Sequence, residues 1–100
     1  MRPPRKVVTL FPRTTAVAAK QIFAAGFRDG VGYYMTSKLW QGVWLSDRPL
    51  DYNSGAKGNV LLCVLLHTSE DWIARWEWIE EGKSHREWLI PARTVNRLGW

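Results

Sequence analysis

The stretch TLFPRTTAVAAKQIFAAGF, residues 9–27, decides the fold, because it joins an apolar run to an alanine-rich segment through Pro12-Arg13. β-branched and aromatic residues over Val7–Phe11 predict a short strand. The segment Thr15–Ala25 repeats its apolar residues at helical spacing, with threonines suited to cap its start and a glycine placed to end it. We therefore predict a strand, an interruption and a helix in this order.

Three further apolar stretches predict strands. Val43–Ser46 has the alternation of a strand, and Arg86–Ile90 predicts a last strand before a proline. Val60–Leu66, which reads VLLCVLL, is continuously apolar and predicts a central strand that is covered on both faces. Residues 69–83 fit both a helix and a strand, with a preference for the helix, and residues 92–100 predict a final turn or short helix. Strands that flank a helix in this way predict an α+β domain with a small, mostly antiparallel sheet.

The composition is that of one globular domain. The chain has 100 residues, seven of them tryptophan, and 14 Lys and Arg residues against 9 Asp and Glu residues give a net charge of +5. This charge favours an acidic partner such as nucleic acid or a nucleotide, although a dispersed charge more often serves solubility. The basic residues cluster only in MRPPRK, where two adjacent prolines predict a flexible tail over residues 1–6. Residues 7–100 are predicted to form a single domain, and residues 47–59 a turn-rich loop suited to binding.

The cellular setting follows from cysteine use and hydropathy. Cys63 is the only cysteine, so the sequence predicts no disulfide, a reducing compartment and a buried thiol that acts as a small hydrophobe. Since no apolar run reaches the length of about 20 residues that spans a membrane, we predict a cytoplasmic protein without a membrane partner. His67 and His85 lack the spacing of a metal site, so no metal is expected.

Three segments, taken in order, resemble the motifs of the ADP-ribosyltransferase superfamily. LFPRTTAVAAKQIFAAGF, Leu10–Phe27, is similar to a first motif in which a strand ends in Leu-aromatic-His-Gly-Thr-Thr and a helix ends in Gly-Phe. GVWLSD, Gly42–Asp47, resembles the second motif, and REWLIP, Arg86–Pro91, resembles the strand that bears the family's glutamate. Together the three segments cover roughly a third of the chain.

The resemblance implies a fold, a substrate and site residues. The fold would be a minimal ADP-ribosyltransferase, with a split sheet around a cleft. The family cleaves the nicotinamide–ribose bond of NAD and transfers ADP-ribose to a protein, a nucleic acid or a small acceptor. Trp44 matches the residue that stacks on nicotinamide, and Ser46 matches the hydroxyl two residues further on. Glu87 matches the catalytic carboxylate, which binds a ribose hydroxyl and stabilises an oxocarbenium-like transition state.

The first motif departs from the family at two positions. Pro12 occupies the position of the histidine and offers neither a side-chain hydrogen bond nor an amide hydrogen. Arg13 occupies the position of the glycine, where the family needs a close backbone approach. A shift by one residue would let Arg13 replace the histidine, as arginine does in some members, but it would spoil the match to Thr14 and Thr15. The departure leaves open whether the chain is an enzyme.

The residues themselves allow a second interpretation at each position. Arg13 and the amides of Thr14 and Thr15 could bind a phosphate or pyrophosphate at the start of the helix, or Arg13 could point into water. Trp44 could be a core residue, and Glu87 could lie on a solvated strand face, paired with a lysine or arginine.

Three functions remain open from the sequence. The first is NAD-dependent ADP-ribosyl transfer or binding of NAD or ADP-ribose. The second is a non-enzymatic module of the same fold that recognises a nucleotide, nucleic acid or a protein. The third is a small RNA-binding protein, which the charge and the exposed aromatic residues favour.

Overall fold

The computed structural model describes residues 6–33, 37–49 and 59–100, which form eight short strands and three α-helices. In chain order the elements are β1 (Val8–Leu10), β2 (Arg13–Thr14), α1 (Ala16–Ala25), β3 (Gly30–Gly32), β4 (Trp40–Ser46), β5 (Val60–Leu61), β6 (Val64–Leu66), α2 (Glu70–Ile73), a 3₁₀ turn (Ala74–Trp76), β7 (Glu77–Trp78), β8 (Glu87–Ile90) and α3 (Ala92–Leu98). Every strand pair among these residues is antiparallel. The predicted α+β class is confirmed.

Two predicted segments fall largely outside the described residues. Of the predicted tail, residues 1–6, only Lys6 is described, and of the predicted binding loop, residues 47–59, only residues 47–49 and 59 are described. Within the described ranges, none of the helices has the length and apolar character needed to cross a membrane.

A four-stranded sheet carries the longest strand. Its order is β3-β4-β8-β7, so β4 and β8 are the two central strands. Val43 lies opposite Ile90 and Leu45 opposite Trp88, and all four side chains are buried. Since residues two apart on a strand project to the same side, these four residues define the core face of the sheet.

A two-stranded ribbon runs beside this sheet and is interrupted at Pro12. β1 pairs with β6 and β2 pairs with β5. The register is the same on both sides of the interruption, because Leu10 lies opposite Val64 and Arg13 lies opposite Leu61. Proline has no amide hydrogen to donate across the ribbon, and only its carbonyl is used, accepting from the Leu62 amide at 2.9 Å. The proline therefore divides one ribbon into two short ladders.

The prediction for VLLCVLL was wrong in two respects. The segment forms two short strands, β5 and β6, rather than one central strand, and Cys63 between them is exposed rather than buried. In β6, Val64 and Leu66 are buried while Leu65 is 54% exposed. A strand in a two-stranded ribbon covers the core with one side only, so a continuously apolar sequence does not require burial on both sides.

Helix α1 confirms the prediction from the sequence within one residue. Thr15 caps it, because its Oγ1 accepts a hydrogen bond from the Ala18 amide at 3.2 Å. Gly26 follows the helix with a φ of 89°. Ala19 is buried, whereas Phe23, another apolar residue of the helix, is 72% exposed.

Residues 69–83 combine the two structures that the sequence left open. Ser69 caps α2, since its Oγ accepts from the Trp72 amide at 3.3 Å. The 3₁₀ turn follows, and the chain then becomes extended at Glu77 and pairs as β7 with β8. The preference for a helix holds for the first half of the segment, and the alternation of Trp76 and Trp78 marks the change to a strand.

Helix α3 closes the core and is fixed to the segment after α1. Val95 is fully buried, and the Ala92 amide donates to Asp29 Oδ1 at 2.8 Å. Asn96 makes two hydrogen bonds with the backbone of Phe27: its Oδ1 accepts from the amide at 2.9 Å and its Nδ2 donates to the carbonyl at 3.0 Å. We refer to this pair of bonds as the Asn96–Phe27 bridge.

Candidate functional site

Three of the predicted site residues, Trp44, Ser46 and Glu87, lie on the side of the sheet that faces away from the core. Ser46 lies opposite Glu87, and Glu87 lies opposite Trp78 on the next strand. Directly opposed residues project to the same side, as do residues two apart, so Trp44 and Trp40 share this side with them. We refer to this side, defined by Trp40, Trp44, Trp78 and Glu87, as the aromatic face.

Three indoles on the aromatic face pack in a row. The Trp78 ring lies between the other two, with centroid separations of 5.2 Å to Trp40 and 5.2 Å to Trp44. The interplanar angles of 81° and 72° are those of edge-to-face pairs, which fix the rings relative to one another. Because all three side chains are only half-buried, the row offers an ordered apolar surface to a ligand.

Glu87 lies beside these rings in a cluster of charged groups. Its Oε2 is 3.0 Å from Lys83 Nζ, and its Oε1 is 2.8 Å from His85 Nε2. These three side chains are 18%, 12% and 11% exposed respectively. A carboxylate accepts hydrogen bonds, so both neighbours act as donors and both carboxylate oxygens are engaged. Glu87 is thus paired with a lysine, as one of the two interpretations of the sequence expected.

Ser46 joins the sheet to the ribbon. It is 3% exposed, and its Oγ lies 3.1 Å from the Phe11 carbonyl oxygen and 2.9 Å from that of Arg48. The Phe11 amide in turn donates to the Ser46 carbonyl at 2.9 Å. The hydroxyl therefore stabilises the junction between β4 and β1, and a contact with a cofactor stays a prediction.

Arg13, Thr14 and Thr15 lie beyond this junction. Arg13 and Thr14 are half-buried and form β2, so Arg13 lies in a strand and not directly before the helix. Thr15 caps α1 with its side chain. Arg13 is two residues from Phe11, which an extended chain spans in about 7 Å. The structure thus brings Trp44, Ser46 and Glu87 together on neighbouring positions and places Arg13 on the segment that leads away from Ser46.

The sequence missed part of this surface. It did not single out Trp40, Trp78 or Lys83, although Trp40 and Trp44 are four residues apart on one strand and therefore project to the same side. His85 precedes Glu87 by two residues, and the contact between the two groups shows that they lie on the same side. Lys83 reaches Glu87 through the turn before β8, which the alternation within the strand does not predict.

The core side of the sheet has its own ion pair. Arg86 donates to Glu77 from Nη2 at 2.7 Å and from Nε at 3.1 Å, and its guanidinium lies 4.9 Å from the centre of the Trp88 ring. The hydrogen bonds from Arg86 lower the pKa of the Glu77 carboxyl, and those to Glu77 raise the pKa of Arg86. This pair connects β7 to β8 on the side opposite the aromatic face.

The chain matches no protein-family model, no curated protein and no solved structure. In the part of the chain that the structure describes, no group of three or more His, Cys, Asp and Glu side chains is arranged to hold a metal ion. The geometry of the aromatic face is therefore the basis on which a function can be argued.

Proposed function

We propose that the aromatic face binds NAD or ADP-ribose and that the chain is a nucleotide-binding module of the ADP-ribosyltransferase kind. One observation carries this proposal: Trp44 is two positions from Ser46, which lies directly opposite Glu87. A ring that can stack on a planar heterocycle is thus next to a carboxylate that can accept from a ribose hydroxyl. Neighbours of this kind on a sheet are about 5 to 8 Å apart.

Each part of the ligand has a matching group. Stacking on tryptophan contributes about 1–3 kcal/mol per base in nucleic-acid complexes, and the nicotinamide or adenine ring offers the same kind of surface. Glu87 accepts from a ribose hydroxyl beside its contacts with Lys83 and His85. Arg13, with the Thr14 and Thr15 amides, is assigned to the pyrophosphate, although Arg13 and Thr14 belong to β2 and only Thr15 caps the helix.

Binding is favoured over transfer by the surroundings of Glu87. In a transferase the carboxylate faces positive charge that develops on the ribose. Here Lys83 lies 3.0 Å and His85 2.8 Å from the two oxygens of Glu87, so the carboxylate is already compensated by a cation. The second candidate is transfer of ADP-ribose to an acceptor, which the proximity of Trp44 and Glu87 on the aromatic face also favours.

Calorimetry with NAD and with ADP-ribose tests the proposal. Trp44→Ala should weaken binding by about 1–3 kcal/mol because the stacked ring is lost. Glu87→Gln should cost a similar amount, the usual scale for a hydrogen bond to a charged group. Trp100→Ala and Glu81→Gln, which change an exposed indole and an exposed carboxylate elsewhere, should bind as the wild type does.

Two outcomes would change this conclusion. The proposal fails if the wild type binds neither ligand or if the two control variants lose as much affinity as Trp44→Ala. Release of nicotinamide from NAD, measured on the same wild-type sample, would favour the transferase over the binding module. In that case Glu87→Gln should lower the rate about 10²–10³-fold, as loss of an electrostatic catalytic group does.

A further inference from the structure

A shallow groove lies on the other side of the molecule from the aromatic face. It consists of two adjoining hollows of about 560 and 600 Å³, which share Lys6, Thr68 and Ser69 as a common wall. Trp88 lines the first hollow, and it projects from β8 to the opposite side from Glu87. Each hollow has the size of a small-molecule site, and the two together form a continuous path along the surface.

Trp72 forms a stacking surface in the second hollow. Its side chain is 44% exposed, and its ring is 5.2 Å from that of Trp76. The Arg75 guanidinium lies 5.2 Å from the centre of the Trp72 ring. Because these two neighbours hold the indole in place, little side-chain entropy is lost when a base stacks on it.

The polar groups of the same hollow suit a phosphate. Lys6 supplies an ammonium group, His67 an imidazole and Thr68 a hydroxyl, all on the wall beside Trp72. The whole chain carries a net charge of +5, which attracts a polyanion. A ring next to a cation and hydroxyls is the combination that single-stranded nucleic acid requires.

Both acidic residues of the first hollow have a guanidinium nearby. Asp47 Oδ1 lies 3.8 Å from Arg48 Nε and accepts from the Arg86 amide at 3.0 Å, and Glu70 Oε2 lies 3.6 Å from Arg86 Nη1. The described residues that line the second hollow include no carboxylate, so the phosphate is assigned to the second hollow.

We propose that this groove binds single-stranded nucleic acid, with one base on Trp72 and the adjacent phosphate on Lys6, His67 and Thr68. Two adjoining hollows accommodate two consecutive nucleotides, which favours a strand over a free mononucleotide. A duplex keeps its bases stacked inside, so it cannot place one on Trp72. This proposal rests on a different surface from the NAD site and holds whether or not that site binds NAD.

Fluorescence anisotropy with a labelled ten-nucleotide single strand of mixed sequence tests the groove. Trp72→Ala should weaken binding about 5- to 150-fold, whereas Trp72→Phe, which keeps a ring, should retain most of the affinity. Lys6→Ala should weaken binding and reduce the slope of log affinity against log salt by about 0.7, the value for one phosphate contact on a single strand. Phe23→Ala and Lys20→Ala, which remove an exposed aromatic ring and an exposed lysine of α1, should leave both the affinity and the slope unchanged.

Several results would overturn the proposal. The proposal fails if the wild type does not bind the strand, or if the control variants lose as much affinity as Trp72→Ala. It also fails if a duplex binds as tightly as the single strand, or if a mononucleotide competes as well as the oligomer. If Trp72→Ala fails to fold, the affinity and the salt slope of Lys6→Ala still decide the question. Binding of NAD is measured separately, so failure of one site is distinguishable from failure of the other.

Discussion

Gly26 shows how a single residue connects distant parts of this chain. Its φ of 89° is a conformation that residues with a side chain rarely adopt. A Cβ at this position would lie 2.8 Å from Asn96 Oδ1, the atom that accepts the Phe27 amide hydrogen. Glycine is therefore required here both by the backbone and by the space that the Asn96–Phe27 bridge occupies.

Replacing Gly26 should destabilise the protein more than the backbone strain alone explains. Gly82 also has a positive φ, 78°, and a Cβ there would meet nothing within 4 Å, so Gly82→Ala measures the cost of a positive φ without a clash. We expect Gly82→Ala to cost about 1–2 kcal/mol of unfolding free energy. Gly26→Ala should cost about 1–3 kcal/mol more, because it also displaces a hydrogen-bonded side chain. Urea denaturation of the two variants gives both values, and equal losses would contradict the role of Asn96.

At the scale of elements, strand β6 shows that adjacent apolar residues can differ widely in burial. Its three residues are all apolar, yet Leu66 is fully buried and Leu65 is 54% exposed. The difference arises because β6, which pairs with β1, covers the core with one side. The two adjacent leucines therefore form a natural pair for comparison.

Truncating the two leucines should have very different effects. Leu66→Ala should lower the unfolding free energy by about 2–5 kcal/mol, since it removes buried apolar groups and leaves a cavity. Leu65→Ala should change the stability by less than about 0.5 kcal/mol, as exposed substitutions do. Thermal or chemical denaturation checks both. Similar losses at the two positions would mean that β6 is covered on both sides.

The elements that local chemistry specifies could be predicted from the sequence. Thr15 and Gly26 gave the bounds of α1, and Pro91 gave the end of β8, because caps and breakers act within a few residues. The division of Val60–Leu66 could not be predicted in this way. It depends on Pro12, a residue nearly fifty positions away that lies across the ribbon.

The candidate site was predictable only in part, for a similar reason. Trp44 and Glu87 were singled out by the resemblance to the second and third family motifs, and the pairing of β4 with β8 brings them to one side of the sheet. Trp78 and Lys83 reach the same place through β7 and through the turn before β8. Their positions follow from tertiary pairing, which the alternation within one segment does not reveal.

At the scale of the whole molecule, one core joins the ribbon, the sheet and the helices. The largest fully buried side chains come from all three parts of the structure: Leu10, Leu45, Leu66, Ile73, Trp88, Ile90 and Val95. Around this core the ion pair of Arg86 with Glu77 ties β7 to β8, and Arg86 also reaches Glu70 of α2. The charge state of Glu77 is therefore linked to the stability of the whole fold.

The stability that the pair of Glu77 and Arg86 contributes changes with pH in a defined direction. The pKa of Glu77 is lowered from its ordinary value of 4.5 in the folded state, chiefly by the hydrogen bond from Arg86. The pair therefore contributes stability above pH 4.5, and this stability is lost as the pH falls from 4.5 through the folded pKa. Glu77→Gln should lower stability at pH 7 and flatten the fall in stability on the acid side. Denaturation midpoints measured between neutral and acid pH check this, with Glu81→Gln as the control. A Glu77→Gln variant that loses stability toward acid pH as steeply as the wild type would refute it.

The Asn96–Phe27 bridge also constrains the order in which the chain can fold. It joins residues that are 69 positions apart, so closing it requires a long loop to form first. During synthesis, α1 and the segment after it leave the ribosome long before Asn96 exists. A nascent chain that ends anywhere before α3 therefore keeps the Phe27 amide and carbonyl without these partners, and Val95 is missing from the core. Completion of the fold is thus a late step, and the exposed apolar core before that point is where chaperone binding and aggregation would compete with folding.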